Sequence, residues 1–151
     1  MWERLQRFNA LPRPAKALFL RAALLLPFLA VSLRLRGFQG TKRWLQKFPS
    51  QLKDFPAASD CEVIVKLTVR MILAAERFFP VHSSCLERSM ALWWLLGRQG
   101  IASQLRIGVR KDGEKLAAHA WVEREGIAIG ESEAPHLHYA AFAEEMSGDA
   151  T

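Results

Sequence analysis

Cys85 and His119 are residue types that attack carbonyl groups or move protons, and Cys85 has an unusual setting. The run Ser84-Cys85-Leu86-Glu87 has the S-x-x-E form of a helix capping box. Ser84 is expected to accept from the Glu87 amide while the Glu87 carboxylate accepts from the Ser84 amide, an arrangement that contributes about 1 kcal/mol. Cys85 then falls at the first helical position. The amides of that turn have no intrahelical acceptor, and the positive end of the helix dipole favours a thiolate there. The other reading of a cysteine is a small buried hydrophobe, and Cys61, among apolar helix residues, fits it better.

His119 stands in Leu-Ala-Ala-His-Ala-Trp-Val-Glu, a strand-like run. Strand alternation puts Ala117, His119, Trp121 and Glu123 on one face and Ala118, Ala120 and Val122 on the other. Alone, such a histidine reads as a satisfied core or surface residue; a helix-terminal cysteine elsewhere gives it a second reading as a base. A third member depends on a turn. If Arg124-Glu125-Gly126 is a three-residue hairpin loop, Glu123 pairs with Ile127 and Glu131 stands across from His119. Directly opposed residues have Cβ atoms about 4.5–5.5 Å apart, close enough for a carboxylate–imidazole hydrogen bond. A two-residue loop shifts the register and turns Glu131 to the other face, leaving it a solvated edge carboxylate.

Cys85, His119 and Glu131 would then follow the nucleophile, base and orienter logic of cysteine hydrolases, with the Cys85 amide as one oxyanion donor. A rival use is metal binding. His136 and His138 with His119 and Cys85 offer nitrogen and sulfur ligands, but the first two share a face only if 136–138 is extended, and no second ligand cluster accompanies them. No metal or organic cofactor is expected.

These residues need a helix and a sheet to hold them. Residues 13–36 read as helix, bent or broken at Pro27, and Gly37 and Gly40 precede a short helix over 41–48. Ser59 or Asp60 can cap a helix running to Phe78, with Val63, Leu67, Val69, Met71, Ile72 and Ala75 as its apolar stripe. The helix beginning at Cys85 is apolar on most sides, ends at Gly100, and should be central. From Gln104 the period becomes two: Gln104–Arg110, a turn at Asp112-Gly113, Leu116–Arg124, then Ile127–Glu131. A short helix over 139–146 closes the chain. Helices on an antiparallel sheet give the α+β class, with residues 1–55 as a basic helical region and 56–151 as the core.

Composition is that of a globular chain of 151 residues, half of it apolar. Residues 1–53 carry eleven Lys/Arg against the single acid Glu3, whereas 54–151 carry ten against fourteen acids. The overall charge of +6 is therefore a property of the N-terminal third. No nucleic-acid motif accompanies it, so nucleic acid is not the expected partner. Two cysteines do not make a disulfide framework, which points to free thiols in the cytoplasm. Ala17–Leu35 has the length of a membrane span, but Arg21, Pro27 and Arg34 divide it. It is read as a buried or surface-docked helical segment, with peripheral membrane association as the variant.

Taken in order, Cys85-Leu86-Glu87-Arg88-Ser89-Met90-Ala91-Leu92, Gly100-Ile101, Leu105–Val109 and Ala118-His119-Ala120-Trp121-Val122-Glu123 resemble the lasso-peptide (microcin-processing) leader peptidases of the transglutaminase-like superfamily. The resemblance spans roughly residues 60–140. It implies a papain-like core and a triad carried onto Cys85, His119 and Glu131, the last departing from the aspartate common in that family. It also implies a cysteine peptidase that removes the leader of a ribosomally made precursor, so that an ATP-dependent lasso cyclase can close a macrolactam. A separate leader-recognition protein is the expected further partner, because no segment of this chain reads as one. The alternatives are acyl transfer from a glutamine donor by the same triad, and a non-catalytic scaffold in a peptide-maturation complex.

Overall fold

The computed structural model describes residues 10–48, 58–78, 83–131 and 135–141. Among these residues three helices, α1 (Arg13–Gln46), α2 (Ala58–Phe78) and α3 (Cys85–Arg98), precede a four-stranded antiparallel sheet. Its strands are β1 (Gln104–Asp112), β2 (Lys115–Arg124), β3 (Ile127–Ile129) and β4 (Ala140–Ala141), in the order β3-β2-β1-β4. The class is α+β, in agreement with the change of sequence period after Gly100.

Helix α1 is broken at Gly37 (φ 67°, ψ −178°) and runs through Pro27. Of the expected interruptions, Gly37 breaks the helix and Pro27 does not. The proline ring lies on the exposed side of the helix, where the missing hydrogen bond costs least. At the Gly37 break the Thr41 hydroxyl donates to the Gly37 carbonyl at 2.9 Å and sits 2.9 Å from the buried Ser32 hydroxyl, tying the two segments together.

Helix α3 is central, as its apolar sequence requires: Met90, Ala91, Leu95 and Leu96 are buried against Leu25, Leu26, Leu29 and Leu45 of α1, Ile72 and Ala75 of α2, and Val122 of β2. Its C-terminus closes as a Schellman motif. The Ile101 amide donates to the Leu96 carbonyl at 3.0 Å and the Gly100 amide to Gly97 at 3.1 Å, with Ile101 and Leu96 both buried. Within α2, Val63 points to solvent rather than joining the expected stripe.

The first hairpin pairs Asp112 with Lys115, so its turn is Gly113-Glu114, one residue beyond the expected position. Gly113 (φ +64°) occupies the first central place of that two-residue turn. The C-terminal expectation also changes. Ala140 and Ala141 pair with Val109 and Gly108 and occupy the otherwise open edge of β1, so these residues are strand and not helix. Residues 142–146 of the expected helix lie outside the described residues.

Candidate active site

The start of α3 is built as the sequence dictates. The Glu87 amide donates to Ser84 Oγ at 3.2 Å and the Ser84 amide to Glu87 Oε2 at 3.0 Å. The first helical bond runs from the Arg88 amide to the Ser84 carbonyl at 3.1 Å. Cys85, half-buried, is the first residue of the helix, and its amide and that of Leu86 belong to the turn that no preceding carbonyl serves. This end of α3 is fastened to α2: Arg88 Nε donates to Glu76 Oε1 at 2.8 Å, and the Ser83 hydroxyl donates to the same oxygen. At the other end, Gln99 Nε2 donates to the buried Thr68 hydroxyl at 3.0 Å.

The sheet is fastened to α3 through Ser89, whose buried hydroxyl donates to the Ala120 carbonyl at 2.8 Å. Cys85 lies one turn before Ser89 on the same helical face. Among the described residues it makes no hydrogen bond to His119 or Glu131.

His119 and Glu131 do meet, with Nε2 3.3 Å from Oε2 and both side chains about a quarter exposed (23% and 26%). The route differs from the expected one. Arg124 pairs with Ile127, so the loop is the two-residue Glu125-Gly126, with φ of 54° and 77°, the signature of a type I′ turn. In that register a continued β3 would set Glu131 opposite Ala120, on the wrong face. Instead β3 stops at Ile129, and Gly130 (φ +74°) turns the chain so that Glu131 returns to His119. A side chain at position 130 would be strained at that φ, and its Cβ would lie 3.3 Å from Val69 Cγ1.

The imidazole has neighbours that sequence reading did not assign to it. Trp121 stacks at 6.1 Å between ring centroids and 16° between planes, and Tyr139 lies at 5.3 Å. The fully buried Trp121 donates to Glu123 Oε1 at 2.7 Å, and Arg106 Nε donates to the other oxygen of Glu123 at 3.1 Å. Across from His119 stands Gly108, where any Cβ would come within 2.9 Å of the Trp121 ring. The alternation of His119, Trp121 and Glu123 was a usable signal for the Trp121 stacking and the Trp121–Glu123 bond. Nothing local to Tyr139 announces its contact, which follows from β4 pairing with β1.

Pro135–Leu137 is a 3-10 turn, so the extended geometry that would align His136 with His138 does not form. Among the described residues no group of three or more His, Cys, Asp or Glu side chains is placed to hold a metal ion.

The structure brings His119 and Glu131 together and sets Cys85 at the start of the helix that Ser89 ties to β2, residue types that acyl transfer through a thioester uses. A family model described as the transglutaminase-like superfamily matches residues 22–144, which include all three residues and the whole sheet. Neither the curated proteins nor the solved structures gave a match. The superfamily is one of cysteine peptidase and acyltransferase type. With its central helix packed on an antiparallel sheet and the match covering most of its length, this chain belongs to the transglutaminase-like superfamily.

Proposed function

We propose that the protein is a cysteine peptidase that cuts the leader from a ribosomally made lasso-peptide precursor, with Cys85 as nucleophile, His119 as base and Glu131 as orienter. The observation that carries the reading is the 3.3 Å contact of His119 Nε2 with Glu131. A proton held on Nε2 by that carboxylate leaves Nδ1 as the basic nitrogen for the thiol.

His119 takes the Cys85 proton and the thiolate attacks the scissile carbonyl, whose oxyanion is met by the amides of the first turn of α3. The tetrahedral intermediate collapses as the imidazolium protonates the leaving amine, freeing the core peptide and leaving the leader as a thioester on Cys85. Water, deprotonated by His119, hydrolyses the thioester and releases the leader carboxylate. The partners in this reading are the precursor, a separate leader-recognition protein and an ATP-dependent lasso cyclase, and the setting is the cytoplasm.

The test incubates the protein and a Cys85→Ala variant with a lasso-peptide precursor plus a primary amine, with products read by mass spectrometry. Free leader and core, absent with the variant, support the peptidase. An amide adduct on the precursor assigns acyl transfer instead, and cleavage undiminished in the variant removes Cys85 from the chemistry.

A further inference from the structure

Helix α1 has two unlike sides. One carries Leu18, Ala22, Leu25, Leu26 and Leu29 into the core. The other presents Leu20, Leu24, Pro27, Val31 and Leu35 to solvent, with exposures of 52% at Leu20, 75% at Leu24, 56% at Val31 and 79% at Leu35. Steps of three and four residues keep these in one stripe about 22 Å long. The helix holds seven Lys/Arg (Arg13, Lys16, Arg21, Arg34, Arg36, Lys42, Arg43) and no acid. Exposed Arg21 and Arg34 flank the stripe on opposite sides.

We propose that this side of α1 is a docking surface for an anionic lipid membrane, on which the helix lies in the plane of the interface. Length and hydropathy alone would also admit a membrane span over Arg13–Gln46, but the core-facing side argues against it. Inserting the helix across a bilayer would strip Leu25, Leu26 and Leu29 from α2 and α3 and place Arg21 and Arg34 in hydrocarbon. An interfacial helix keeps its core side on the protein. Its outer leucines then enter the headgroup boundary while its arginines extend to lipid phosphates. Charge complementarity selects the lipid, because α1 itself carries seven cations and no acid and is matched by an anionic surface. Pro27, Val31 and Arg34 also border a cavity of about 230 Å³ whose other wall includes Glu76, Ser83 and Glu87, so docking brings the start of α3 close to the membrane.

The inference does not depend on the peptidase reading. It is tested by co-sedimentation of the full chain with vesicles of phosphatidylcholine containing phosphatidylglycerol, and with phosphatidylcholine alone. Binding to the anionic vesicles only, reduced by salt, is expected. Arg21→Gln and Arg34→Gln should each weaken it about fivefold, and Leu24→Gln with Val31→Gln by more than about tenfold. These side chains are exposed, so unchanged circular dichroism and melting are expected in every variant. Absence of binding to either vesicle, or equal binding to both, overturns the proposal. So does undiminished binding by the folded variants, or protein that salt and alkaline carbonate cannot release, which would mark a true span.

Discussion

The two cysteines stand near the starts of successive helices, yet their surroundings have little in common. Cys61 is the fourth residue of α2, 8% exposed, and part of the hydrophobic core. Cys85 is the first residue of α3, half-buried, behind a complete capping box. Three residues of helix phase separate a packing unit from a half-buried thiol at a helix start. Where the cap sits, rather than the residue type, decides which environment a cysteine enters.

The sharpest way to break this contrast is to exchange function at the two positions. Cys85→Ala should lower leader cleavage by about 10⁴-fold or more at unchanged melting temperature. Cys61→Ala should leave cleavage intact while lowering stability by about 1 kcal/mol, seen in denaturant unfolding. Peptide mapping after brief iodoacetamide treatment should find the label on Cys85 and not on Cys61. Equal labelling would remove the distinction.

The next effect belongs to the imidazole. His119→Ala should cost about 10²–10⁴-fold in kcat, and Glu131→Gln less, about 10–10²-fold, because a quarter-exposed pair is partly screened. If Glu131→Gln matches wild type in kcat across the pH range, the carboxylate orients nothing.

Smaller again is Gly130→Ala. The strained φ and the approach to Val69 predict about 1–2 kcal/mol of destabilisation. A loss in kcat of the same kind as for Glu131→Gln should accompany it, since the turn delivers that carboxylate. The smallest expected effect lies at the neighbouring turn. Glu125 adopts φ 54° without being glycine or asparagine, and in its ion pair with Arg124 its own side chain stays largely exposed. Glu125→Asn should therefore raise stability by up to about 1 kcal/mol with cleavage unchanged.

Elements defined by local signals were legible in the chain. Ser84 and Glu87 announce a cap, Gly100 announces a helix end, and residues 104–124 alternate as strands do. What was illegible depended on competition between signals or on distant pairing. Pro27 and Gly37 both interrupt a helix, and only the tertiary setting shows that the proline is accommodated on the exposed side while the glycine turns the chain. For Glu131 the sequence reading reached the right contact by the wrong route. It took a three-residue loop in place of Glu125-Gly126, and the displacement is offset by Gly130, whose backbone angle no residue-spacing rule supplies. Ala140 and Ala141 resemble helix in composition, and only the vacant edge of β1 makes them strand.

One carboxylate on α2 carries a responsibility out of proportion to its distance from any reacting atom. Glu76 receives both the residue preceding the cap and the arginine just past it, so the helix start hangs from a single side chain at two points. A change at Glu76 therefore loosens the start of α3 at both points while leaving Ser84, Cys85 and Glu87 in place.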